Sequence, residues 1–265
     1  MTSRYVFRGS ALIPKGLLAA IVRSTYYVRK ETDGVHWHLV RCVGGQILAG
    51  AFLSWKMKSS GKVTHTVCHL LRIVPAIIVL FLVFQSRSMT PELLDVQHLE
   101  FAKYFCFAGL AFHILLLLVS GWPIGKAILP GNKIGDCLYQ LDAIASICIG
   151  IAWLSFPNWL LHRQVIVPLD DSHSLCARLM GALFVSSYSV STHALHWENQ
   201  SDRLVAVDSR VVCCLTILSA QIWSQIAYTR DWSGGHWVGI CLFFTWTFLS
   251  LVYRWSLSFR KAKKN

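Results

Sequence analysis

The chain has 265 residues, 54 % of them apolar and only 14 % charged, with a mean hydropathy of +0.49 and a net charge of +12. Soluble domains carry about 25 % charged residues, and the polar stretches between the long apolar runs are too short for a soluble catalytic domain of about 50 residues or more. The composition excludes a disordered chain and a secreted disulfide scaffold and points to an all-helical, multi-spanning membrane bundle.

In chain order, the first candidate span is 7–28. Arg8, Lys15 and Arg23 make it poor, because each is costly at the bilayer centre. Met1 to Lys30 also lacks a clean apolar stretch with a small-residue cleavage site, so no cleavable signal peptide is expected. Seven runs follow that are apolar enough to cross the hydrocarbon, at 39–55, 68–85, 101–121, 138–161, 175–196, 205–228 and 236–255. With eight spans and both termini cytosolic, twelve Lys and Arg fall on the inner side (among them Lys56, Lys58, Lys62, Lys126, Lys133 and Arg203) and five on the outer side, which is the sign the positive-inside rule requires. The basic residues therefore set topology and meet anionic headgroups; nothing patterns them for nucleic acid. Asn199-Gln200-Ser201 is a glycosylation sequon that this topology places in the cytosol. Lys261 and Lys263, fifth and third from the end, match a Lys-x-Lys-x-x retrieval signal and suggest the endoplasmic reticulum. The nine cysteines form no C-x-x-C pair and read as packing residues; no cofactor or metal is expected.

The two halves repeat. Asp33, His36, Arg41 and Gly44 recur as Asp170, His173, Arg178 and Gly181, each 137 residues on; Arg72 recurs as Arg210 and His98 as His236, each 138 on. The expected organisation is a first four-span repeat at 1–122, a cytosolic linker at 123–136 and a second four-span repeat with a basic tail at 137–265. Because four spans are an even number, both repeats enter from the same side, related by an axis along the membrane normal.

The second half carries Phe156-Pro157-Asn158-Trp159-Leu160, then Ala177-Arg178-Leu179-Met180-Gly181-Ala182-Leu183. These elements resemble the four-span tumor protein p53-inducible protein 11 family over about 130 residues. The resemblance implies a four-span unit and no chemistry; the chain departs from it in holding two copies, the first without the proline element.

Candidate ligand-binding residues are Asp33, His36 and Arg41 with Asp170, His173 and Arg178, two related sets at the outer ends of their spans. A guanidinium fork suits a lipid phosphate or a carboxylate; the structural alternative is that the arginines snorkel and the aspartates cap helices. A second set is Arg72 and Arg210, about a turn inside their spans from the cytosolic side. Asp142 and Lys103 are read as span openings near an interface, and His113 as a lone mid-span histidine. His193 and His196 share a helix face but lack a third metal ligand, while Gln46 and the run Ser186, Ser187, Ser189, Ser191 read as interhelical hydrogen-bond formers. No nucleophile elbow, phosphate loop or intramembrane carboxylate pair occurs. The expected role is non-enzymatic: a multi-pass membrane protein meeting membrane lipids or partner membrane proteins. Alternatives are a carrier or channel for a small anionic solute and, further off, a lipid-modifying enzyme.

Overall fold

The computed structural model describes residues 33–125 and 133–262, with side chains as far as 257. The expected span at 7–28 lies outside the described residues, as do Lys263 and Lys264 of the tail. All seven strong apolar runs are helices: α1 (Gly34–Lys56), α2 (Lys62–Met89), α3 (Val96–Ser120), α4 (Lys133–Ser155) with the short α5 (Pro157–His162), α6 (Asp171–Ala194), α7 (Gln200–Ala227) and α8 (His236–Ala262). The fourth run is not one helix. Pro157 has no N–H to continue α4 and instead sits in the first turn of α5.

Five helices are long and apolar enough to cross a membrane: α2, α3, α4, α7 and α8 as far as Leu257. The remaining two long ones, α1 and α6, are heavily buried, α6 over more than half its length and with five of its serines in the core (Ser172, Ser174, Ser186, Ser189 and Ser191). The most apolar helix behaves oppositely. In α3 only Leu99, Cys106 and Leu117 are buried, while Phe112, Leu115, Leu118 and Val119 face outward. Apolar surface turned out and polar helices turned in is the economy of a bundle dissolved in lipid, where exposing Leu or Phe costs nothing and exposing serines leaves hydrogen bonds unmade.

The packing is reciprocal. The pair α1–α7 lies against each other, as does α6–α2; α2 pairs with α3 and α7 with α8; α1 and α6 touch along the middle. Exchanging α1-α2-α3 with α6-α7-α8 reproduces these contacts. A sixth contact, α4 on α6, is a backbone approach: a Cβ added at Gly150 would stand 2.6 Å from the Val185 nitrogen, and one at Gly181 would stand 2.8 Å from the Gly150 oxygen. Gly181, a member of the repeated motif, is thus the crossing point of two helices.

Asp33 and Asp170 open α1 and α6 as N-caps, their carboxylates accepting from the backbone N–H of His36 (2.9 Å) and His173 (3.2 Å). The two caps occupy one end of the bundle. At the opposite end Ser60 donates to Asp202 at 2.9 Å, and the buried Arg203 binds the carbonyls of Trp197 (2.8 Å) and Leu195 (3.0 Å) and the carboxylate of Asp136 (3.3 Å). The apolar core is correspondingly split. One cluster, with Leu39, Met180, Phe184 and Ile217, lies toward the capped end; another, with Leu53, Val67, Val190 and Trp197, lies toward the far end.

Candidate ligand cavity and its polar belt

The first candidate set is brought together only in part. At the capped end His173 is fully buried, its Nδ1 2.7 Å from Asp170 and its Nε2 3.0 Å from Asp33, and its ring meets His36 edge-on at 5.8 Å between centroids. The Asp170 backbone nitrogen also lies 3.2 Å from Nδ1, the arrangement of a capping box. Burial opposes a charge on His173, but the hydrogen bonds it donates to Asp170 and Asp33 outweigh it and raise the imidazole to about 9. Burial likewise pushes Asp170 up, yet its bonds with His173 and Ser172 prevail and hold it well below the ordinary carboxylate range. The cluster is a charged, hydrogen-bonded joint between α1 and α6, and its groups spend their valences on each other. The arginines lie five residues beyond the histidines. Arg178 donates to the Gln85 side chain of α2 at 2.7 Å, and Arg41 has a buried guanidinium nitrogen with no hydrogen bond among the described residues.

The second set lies deeper than expected. The helices begin well before their apolar runs, so Arg72 and Arg210 each stand ten residues, about 15 Å, from the start of α2 and α7 rather than one turn in. Asp142 likewise does not open a span. It is nine residues into α4, buried, with Arg210 Nε 2.6 Å away, and it also accepts from Ser191 and from Trp246 Nε1 (2.9 Å). Arg210 is completed by Ser146 at 2.8 Å. The pair therefore ties α4, α6, α7 and α8 in mid-bundle, with both carboxylate oxygens of Asp142 engaged and one Arg210 nitrogen shared between Asp142 and Ser146. Asp208, two residues before Arg210, turns away to pair with Arg254 at 2.7 Å.

Arg72 has a different setting. It donates to the Cys68 carbonyl (2.5 Å) and the Ser54 hydroxyl (3.0 Å), which engage two of its five N–H groups. No carboxylate among the described residues reaches it. His113, read as solitary, is not: its Nδ1 lies 3.1 Å from His69 Nδ1, and both rings feel the Arg72 charge. Lys103 pairs with Glu100 in the first turns of α3, and Glu100 also holds Arg87 at 2.5 Å. His193 bonds the Ser189 carbonyl at 2.8 Å, and no cluster of metal-ligating residues occurs among the described residues.

Arg72 and Arg210 both line one cavity of about 570 Å³, within the range of sites that enclose small molecules. It exists because α3 packs substantially only on α2, leaving a gap between that hairpin and α1, α6 and α7. Its wall on α2 runs from Leu71 to Ser86, about 22 Å along the helix. The lining is chiefly aliphatic and aromatic, with Leu82, Phe105, Leu179 and Leu183. Pro75 lies in this wall, and its missing N–H frees the carbonyl of Leu71 within an otherwise continuous helix. Polar lining occurs at mid-bundle, where the two core clusters part, and again toward the capped end with Ser86, His98 and Ser172. Gln46 is there, 8 % exposed, with neither amide atom hydrogen-bonded among the described residues. Sequence reasoning treated Gln46 as a helix-to-helix bond former; the structure turns it to the cavity. Ser54 and Trp246 had no part in that reading, and Asp142 was placed at the opening of its span. A carboxylate well inside an apolar run is the one signal that marked Asp142, and it was obscured by placing the helix start too late.

A polytopic helical membrane protein with an internal, mostly apolar cavity is the class these features define. The chain belongs to a family described as a domain of unknown function, DUF8292, whose model matches residues 12–255 and so takes in both halves as one unit. No curated protein and no solved structure matches the chain.

Proposed function

We propose that the protein is a non-enzymatic multi-pass membrane protein of the endoplasmic reticulum that binds a membrane lipid within the bundle. The observation that carries this reading is the cavity: it follows α2 for about 22 Å, is mainly apolar, and sets Gln46, Arg72 and Arg210 at mid-depth with Ser86, His98 and Ser172 toward the capped end, which suits an acyl chain with a polar group. The buried Gln46 amide supports an occupant, since unmade hydrogen bonds of this kind cost about 1 to 3 kcal/mol and are retained where a ligand completes them. The repeated motif and the reciprocal packing support descent from a duplicated four-span unit, both copies facing the same way. The basic far end and the tail lysines support cytosolic termini. A bifunctional photoactivatable phospholipid or fatty acid, crosslinked in membranes and mapped by peptide sequencing, should label α2, α3 and α6 around the cavity. Leu183→Trp, which fills the cavity, should remove most of that labelling; equal labelling of wild type and variant would contradict the reading.

Carriage of an anionic solute is the second reading, favoured by the depth of the same cavity. It requires cysteines placed at Gln46 and Arg72 to react with aqueous thiol reagents from both sides of the membrane; reaction from neither side removes it.

A further inference from the structure

The two halves treat their matched arginines differently. Around Arg210 on α7, a hydroxyl from α6 (Ser191) and an indole from α8 (Trp246) converge on the carboxylate of Asp142. In the other half Arg72 stands on α2, and Ser54 of α1, which is 137 residues before Ser191, bonds it. The position matching Trp246 is Ala108, next to the cavity-lining Gly109. Arginine and serine are kept, the indole is replaced by space, and the carboxylate is gone. Among the described residues no carboxylate bonds to Arg72.

From this we infer that the oxyanion of a bound amphiphile occupies, at Arg72, the place that Asp142 occupies at Arg210. The substrate class is an acyl-chain molecule with a carboxylate or phosphate monoester head. Its head takes the unused N–H groups of Arg72, and its chain runs along the α2 and α3 walls of the cavity. Gln46 supplies a neutral donor and acceptor on the same cavity, and His113 a ring nitrogen. Arg72 is exposed where Arg210 is buried, so its guanidinium is open to an occupant; a charge this far along an apolar span is costly without a counter-ion, and a ligand that brings its own negative charge removes that cost. This inference deepens the lipid-binding reading and rests on it.

The test uses the purified full chain in phosphatidylcholine nanodiscs and measures equilibrium binding of oleate, monoolein, lysophosphatidate and inorganic phosphate to wild type, Arg72→Gln and Arg72→Lys. Oleate or lysophosphatidate should bind wild type at least tenfold more tightly than Arg72→Gln, with Arg72→Lys between them. Monoolein should bind wild type and Arg72→Gln within twofold, which also shows that the variant is folded. Whichever of oleate and lysophosphatidate shows the Arg72 dependence identifies the head as carboxylate or phosphate. Equal oleate and lysophosphatidate affinities in wild type and Arg72→Gln, with monoolein bound by both, overturn the oxyanion assignment and leave the cavity reading standing. Binding of inorganic phosphate as tight as that of the amphiphiles overturns the acyl-chain assignment. Failure of every acyl probe to bind wild type overturns the cavity reading and this inference with it.

Discussion

His173 lies 3.0 Å from Asp33, a residue 140 positions earlier, while its other ring nitrogen is 2.7 Å from Asp170 in its own helix. One buried imidazole thus joins the caps of two helices that begin the corresponding parts of the two halves.

The stability of this joint depends on pH on both sides. His173 has its folded value raised to about 9 from 6.5, so its contribution is complete below 6.5 and is lost as the pH rises through about 9. Asp170 is lowered from 3.8, so its contribution is present above 3.8 and is lost as the pH falls through its lower folded value. Thermal unfolding in mild detergent should show a plateau between these limits and a falling alkaline limb. His173→Gln should flatten that limb and cost about 2 kcal/mol or more at neutral pH, as loss of hydrogen bonds to charged groups does. An unchanged alkaline limb in His173→Gln would sink this assignment.

Asp142→Asn leaves Arg210 buried beside a neutral partner and should destabilise the bundle by about 3 to 5 kcal/mol. The double variant Asp142→Leu with Arg210→Leu should recover much of that loss, because it removes both buried charges. The comparison is made by chemical or thermal unfolding in identical micelles. If the single and double variants unfold alike, the network is not a mutually dependent pair.

Gly150 and Gly181 set the approach of α4 to α6. Gly150→Val or Gly181→Val should cost roughly 1 to 3 kcal/mol or more, because the new atoms meet backbone that has no room to yield. Gly109, where an added Cβ meets nothing within 4 Å, is the control: Gly109→Ala should be neutral or gain about 0.5 to 1 kcal/mol from its helix. Tolerance of valine at both crossing positions would mean that α4 does not pack there.

Cytosolic termini predict that the sequon at Asn199 stays unmodified in microsomes, whereas an Asn-x-Thr inserted between Arg163 and Asp170 is glycosylated. A gel shift for the first and none for the second reverses the orientation.

Hydropathy made all seven described long helices legible, because each needs an apolar stretch to meet lipid or core. The caps were legible as well: Asp-x-x-His before an apolar run places a carboxylate within reach of the third backbone N–H. Depth was not. Polar first turns such as Lys62 to Thr66 and Gln200 to Arg203 are helical, which moves Arg72, Asp142 and Arg210 from the rim to the middle. Pairings between helices were hidden too. His113 looked solitary because His69 lies 44 residues away on the neighbouring helix. The cavity had no sequence signature, since it arises from α3 leaning on α2 alone, and the same phenylalanines and leucines would have read identically had the gap been closed.

The most direct measurement is an experimental structure of the full chain in a lipid nanodisc, held by a rigid fiducial, with the cavity density resolved. The account predicts an elongated density along α2 and α3, ending in a compact feature within hydrogen-bonding distance of Arg72 and Ser54. A closed gap with α3 packed against α6, or an open one holding only disordered solvent, would contradict it.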